Sequence, residues 1–112
     1  MDLFRRLTRG GAPAPTPAVS PSPLIRRRCR FIGYVQGVGF RFEALVLAGQ
    51  LKLTGWVRNE NDGSVLAELQ GPAADVRQFL QAIQAVPRFE ITDLQVEELT
   101  PCPEDDNFRV RY

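Results

Sequence analysis

In the stretch Gly33-Tyr34-Val35-Gln36-Gly37-Val38-Gly39-Phe40-Arg41, three glycines fall within seven residues and an arginine follows. Glycines let backbone N–H groups converge on one point, and arginine offers a planar fork of donors that keeps its charge. Where such a loop leads from a strand into a helix, the helix start adds the positive end of its dipole. The chemistry this points to is anion binding, with a phosphate-sized ligand as the first candidate. A glycine turn of purely structural purpose would read the same, and the loop alone does not separate the two. Asn59 adds a second group, because an amide can hold a water molecule through both a donor and an acceptor.

The 112-residue chain contains no histidine. That removes the commonest general base, the commonest metal ligand and the usual partner of a serine or cysteine nucleophile. Cys29 and Cys102 lie far apart and form no zinc-binding pair, so two reduced thiols are expected. Charge is uneven along the chain. Residues 1–30 hold seven arginines against Asp2, whereas the remainder carries seven basic and twelve acidic residues. A basic leader on an acidic domain argues against a nucleic-acid binder, which needs a positive face. No run approaches the roughly 18 apolar residues of a membrane span, and no compact apolar segment follows the first arginines, as a secretory signal requires. The expectation is a cytoplasmic, monomeric protein that engages neither membranes nor nucleic acid. The arginine-bearing start leaves organelle targeting open.

The elements that must position these groups can be read from periodicity. Residues 1–23 form a leader in which Leu3-Phe4-Arg5-Arg6-Leu7 precedes a segment with prolines at 13, 15, 17, 21 and 23. Such a segment cannot bury a core, and it is expected to be extended and mobile. One domain follows, from residue 24 to residue 112, which is long enough for a core of its own. Arg28 to Val35 alternates as a strand, with Cys29, Phe31, Gly33 and Val35 on one side. Phe40, Ala44, Leu47, Ala48 and Leu51 recur at helical spacing, although Lys52 stands where a glycine cap is more usual. Strands are expected over Leu53 to Asn59 and Ser64 to Gln70, joined by a hairpin turn at Asn61-Asp62-Gly63. Gly71-Pro72 then opens a second helix with buried face Val76, Phe79, Leu80 and Ile83, stopped by Pro87. Ile91, Leu94 and Val96 indicate a fourth strand, and Phe108, Val110 and Tyr112 a short closing one. The order β-α-β-β-α-β plus a final strand predicts an α+β, ferredoxin-like two-layer sandwich, with an antiparallel sheet covered by two helices on one face.

Known phosphate loops do not fit. A dinucleotide fingerprint fails because Phe42 stands where the third glycine belongs, and a Walker loop fails for want of Gly-Lys-Ser/Thr. The stretch from Gly33 to Arg41, together with Gly55-Trp56-Val57-Arg58-Asn59, Gly63, Val65 and Gly71, resembles the two signatures of the acylphosphatase family. The similarity extends from about Arg26 to Tyr112. Phe31, where the family usually has a branched aliphatic, and Lys52 depart from the pattern in packing and capping only.

The resemblance implies hydrolysis of the carboxyl–phosphate bond in small acyl phosphates, with no metal and no cofactor. It implies that Arg41 binds phosphate, that backbone amides of Gln36, Gly37, Val38, Gly39 and Phe40 complete the cradle, and that Asn59 orients the attacking water. Inorganic phosphate or sulfate would bind as a product-like ligand. The absence of histidine agrees, since a carboxylate leaves without a proton donor whereas an alkoxide does not. Glu43 and Asp62 are more economically a helix-face and a turn residue than bases, and Trp56 a core or wall residue. Two other readings stand beside this one. The first is a non-catalytic phosphate- or nucleic-acid-binding module, for which Ser64 to Gln70 lacks the aromatics that stack bases. The second is an accessory domain like that of the larger hydrogenase-maturation carbamoyltransferases.

Overall fold

The computed structural model describes residues 23–112. In order the elements are β1 (Leu24–Tyr34), α1 (Phe40–Leu51), β2 (Thr54–Asn59), β3 (Val65–Pro72), α2 (Ala73–Gln84), β4 (Glu90–Leu99) and β5 (Phe108–Arg111). The strands form one sheet in the order β4-β1-β3-β2-β5. β1 runs antiparallel to β3 and β4, and β2 antiparallel to β3. β5 pairs with β2 in parallel, so the sheet is mixed rather than wholly antiparallel. A parallel neighbour needs a crossover instead of a hairpin, and everything from β3 to residue 107 supplies it. The α+β, two-layer, ferredoxin-like architecture is otherwise as expected.

Alternation builds the core. Cys29 and Phe31 of β1, Val57 of β2 and Val65, Ala67 and Leu69 of β3 turn to the same side and meet Phe40, Ala44 and Ala48 of α1 and Val76, Phe79 and Ile83 of α2. Burying side chains of this size contributes roughly 1.5–3 kcal/mol each. Phe31 packs its ring 5.0 Å from that of Phe40, so the aromatic in place of a branched aliphatic is accommodated at the start of α1. Cys29 lies in this layer and burial pushes its thiol up to about 12, whereas Cys102 is exposed; both are free thiols.

Two boundaries differ from expectation. β1 begins at Leu24, four residues early, because Arg26 and Arg28 alternate with the core positions and are held on the other face of the sheet. Gly71 and Pro72 complete β3, and α2 starts at Ala73 with Pro72 as its extended N-cap. Gly33 lies in the first strand, as expected: its φ is 137°, and a Cβ there would lie 1.9 Å from the Glu90 carbonyl oxygen where β1 and β4 shift register.

The open face carries the charge. Arg26 donates to Glu68 at 2.8 Å and to Asp105 at 3.0 Å, and Arg28 reaches the second Glu68 oxygen at 2.8 Å. On the other side of the strand, Arg27 pairs with Glu98 at 3.1 Å. Burial alone would raise the carboxyl groups of Glu68 and Asp105, but the bonds from Arg26, Arg28 and Arg109 outweigh it and hold both below the usual range. The arginine run at 26–30 is therefore half of an ion network and no part of a leader. The expected leader falls on residues 1–22, outside the described residues, apart from Pro23.

Candidate active site

β1 delivers the chain to the end of the sheet, and buried Val35 pins the first residue of the loop. Gly37 and Gly39 take φ values of 76° and 83°, a region that L side chains enter only at a cost. Gly39 is also the N-cap of α1 and makes no side-chain cap bond. The leading amides of an α-helix have no partner within it, so those of α1 remain available to a ligand. Beneath them the Phe40 ring is wedged between Phe31 and Phe89, with centroids 5.0 and 4.8 Å away. That anchor fixes the helix start and sets Arg41 beside the loop.

Two side chains hold the loop from behind. Arg88 Nε donates to the Val38 carbonyl at 2.8 Å, and its Nη2 reaches Glu43 at 3.3 Å. Gln36 Nε2 donates to the carbonyls of Glu60 and Ser64 at 2.7 and 2.8 Å. These two residues bracket the hairpin that follows Asn59, so one amide ties the loop to the end of β2. The hairpin is itself closed by Asp62, whose carboxylate accepts from Ser64 N at 2.9 Å and Ser64 Oγ at 2.6 Å. The same two bonds hold the Asp62 carboxyl below its ordinary value.

A cleft of about 300 Å³ opens between these parts. Its lining includes Gly37, Gly39, Phe40, Arg41 and Asn59. Val35, Val110, Tyr112 and, from α1, Phe42 and Leu45 line it as well. Arg41 Cζ lies 4.9 Å from the centre of the Tyr112 ring. Among the described residues no carboxylate comes within ion-pairing distance of Arg41, and no side chain bonds the Asn59 amide. Among the described residues, both groups therefore keep their side-chain donors free. The arrangement can take a tetrahedral anion at the loop and a water molecule at the amide.

Of the residues singled out in the sequence, Gly37, Gly39, Phe40, Arg41 and Asn59 line one cleft. Val38 and Gln36 do not line it: Val38 packs on the core, and the side chain of Gln36 serves the hairpin. Glu43 faces Arg88 and Asp62 closes its turn, so neither is poised as a base. Trp56 lies on the open face with Arg58 and Arg111 over its ring at 5.0 and 4.7 Å, apart from the core cluster and the cleft. Sequence reasoning missed Phe42, Leu45 and Tyr112. The signal was an i, i+3 pair of large apolar residues off the buried stripe of the helix.

The family model and the curated relatives agree on one family. The family model described as acylphosphatase matches residues 27–110. The acylphosphatase of Bacillus licheniformis is 43% identical over 81 residues, covering 71% of this chain and 90% of that protein. The crystal structure of acylphosphatase from Bacillus subtilis superposes with a TM-score of 0.74 at 34% identity, over 79% of this chain and 99% of that one. Full-length HypF, solved in a phosphate- and nucleotide-bound form, matches with a TM-score of 0.72 at 27% identity, but over 83% of this chain and only 12% of its own.

Proposed function

The chain belongs to the acylphosphatase family and is a hydrolase of that kind, and on this premise we propose how its residues divide the work. The phosphoryl group of an acyl phosphate sits on the amides of the 36–40 loop. Arg41 grips two of its oxygens with parallel charge-assisted bonds. Asn59 holds a water molecule on the side opposite the leaving carboxylate. The water oxygen bonds to phosphorus as the bond to the acyl oxygen breaks, and the electron pair of that bond leaves with the carboxylate. One proton of the water passes to a phosphoryl oxygen of the substrate, since Asn59 cannot act as a base. The products are a carboxylate and inorganic phosphate.

The observation that carries this reading is the convergence of Gly37, Gly39, Arg41 and Asn59 on one cleft. A loose phosphoryl-transfer transition state asks for positioning and charge stabilisation, which amides and one guanidinium supply. A carboxylate, whose conjugate acid has a pKa of about 4, departs unaided. The reaction is proposed to need no metal or cofactor, because the leaving carboxylate needs no acid and the amides and Arg41 can carry the phosphoryl charge. Residues 24–112 are proposed as the working domain behind a leader at 1–23, acting as a cytoplasmic monomer. No helix among the described residues is long and apolar enough to cross a membrane. A nucleic-acid role is not favoured, because the central strand β3 carries no aromatic on which a base could stack.

The test is hydrolysis of benzoyl phosphate and butyl phosphate, with and without chelator, by the full chain and Arg41→Ala. Benzoyl phosphate should be cleaved in chelator, butyl phosphate should not, and the variant should lose on the order of 10²-fold or more in kcat/KM. Comparable turnover of the two substrates, or an active Arg41→Ala, would overturn the assignment.

A further inference from the structure

We propose that the side of the cleft walled by Phe42 and Leu45 is an acyl subsite that selects acyl phosphates with an apolar acyl group over those whose acyl chain carries charge. This rests on the placement of phosphate just argued. With phosphorus held at Gly37, Gly39 and Arg41 and the water at Asn59, the acyl group leaves away from Asn59, and Phe42 and Leu45 are the exposed apolar side chains of the lining that lie outside β2 and its neighbour β5. Phe42 is 66% exposed and Leu45 38%. Phe42 and Leu45 stand one helical turn apart on the side of α1 away from Ala44 and Ala48, so the core makes no use of them. Large apolar side chains left bare beside a reactive site are accounted for if a ligand covers them.

Charge points the same way. Among the described residues Arg41 is the one cation that lines the cleft, and the phosphate takes it. The alternation of β5 sends Val110 to the cleft and Arg109 and Arg111 to the other face, where Arg109 pairs with Asp105 and Arg111 stacks on Trp56. Arg88 is occupied by the Val38 carbonyl and Glu43. An acyl chain ending in a carboxylate would be pressed against Phe42 and Leu45 with no partner, and an unpaired ion is disfavoured there. A flat aromatic or short alkyl group meets matching walls.

The experiment compares kcat/KM for benzoyl, acetyl and succinyl phosphate in the full chain, Phe42→Ala, Phe42→Leu and Leu45→Lys. Wild type should rank benzoyl above acetyl and acetyl above succinyl. Phe42→Ala should lower the benzoyl-to-acetyl ratio about tenfold, and Phe42→Leu should restore most of it. Leu45→Lys, which places a cation in the wall, should raise the succinyl-to-benzoyl ratio about tenfold. Far-UV circular dichroism confirms that each variant is folded, as exposed positions should permit. Ratios within twofold of wild type in Phe42→Ala and Leu45→Lys, with acetyl phosphate still hydrolysed, overturn the subsite and leave the parent reading standing. Wild-type failure on all three substrates overturns the parent reading, and this one with it.

Discussion

Asn59 and Arg41 line the same cleft, yet their loss should leave different things behind. On the roles proposed above, loss of Arg41 should remove the anion's charged clamp and lower both binding and rate. Loss of the Asn59 amide should leave the cradle intact and deprive only the water of its guide. Asn59→Ala should therefore reduce kcat on the order of 10²-fold while inorganic phosphate still inhibits at nearly the wild-type concentration. Normal turnover in that variant would end the water-orienting role. The contrast depends on both side chains being free of other partners, which holds among the described residues. Gln36 and Arg88 show the opposite use of polar groups: each is fully engaged, and each holds loop backbone in place.

At the level of elements, Lys52 is a local rule broken. It ends α1 in the left-handed region at φ 57°, with its amide bonded back to Ala48 and Gly49. A non-glycine residue pays about 1–2 kcal/mol for that conformation, partly offset by the entropy that glycine would lose. Lys52→Gly should gain about 0.5 kcal/mol, read as a rise in urea midpoint or a few degrees in Tm, with acyl phosphate turnover unchanged. A lower midpoint would refute it. This departure was legible in the sequence, as were both helices, the hairpin and the loop, because each rests on short-range periodicity or turn chemistry. The partnership of Arg41 with Asn59 was also legible, but only through the joint pattern of two separated stretches, since neither residue type is distinctive alone. What escaped depends on which distant segments meet. The side-chain bonds of Gln36 need the hairpin brought beside the loop, and the parallel placement of β5 needs the whole crossover. Phe42 and Leu45 lie off the buried stripe of the helix, and only the fold brings Val110 and Tyr112 to the same cleft. Gly33 was read into the first strand, but the need for a glycine there was not legible, because only β4 reveals the approach that forbids a side chain.

Across the whole molecule the open sheet face is held by charge where the other face is held by packing. Glu68, 8% exposed, accepts from both Arg26 and Arg28, and Asp105 joins from the segment before β5. Both carboxyl groups have depressed folded-state pKa values. Their stabilisation is therefore complete above the unfolded carboxyl range of about 4 and is lost as pH falls through the lower folded values. Urea midpoints should stay level near neutrality and drop below about pH 4. Glu68→Gln should cost about 3 kcal/mol at pH 7 by stranding buried arginine charge, and its gap from wild type should narrow in acid. A gap that stays constant down to pH 2 would show that the network contributes no pH-dependent stability. The same long reach governs when the site comes into being. The cleft takes its walls from residues 35–45, from Asn59 and from Val110 and Tyr112, and its last wall is set by the parallel pairing of β2 with β5. Contacts so distant along the chain form slowly and late, after the entropy of closing the intervening segment has been met. A partly folded chain could form the glycine loop and its helix and still lack the far wall, so catalytic competence is a late event of folding, reached when the final strand docks.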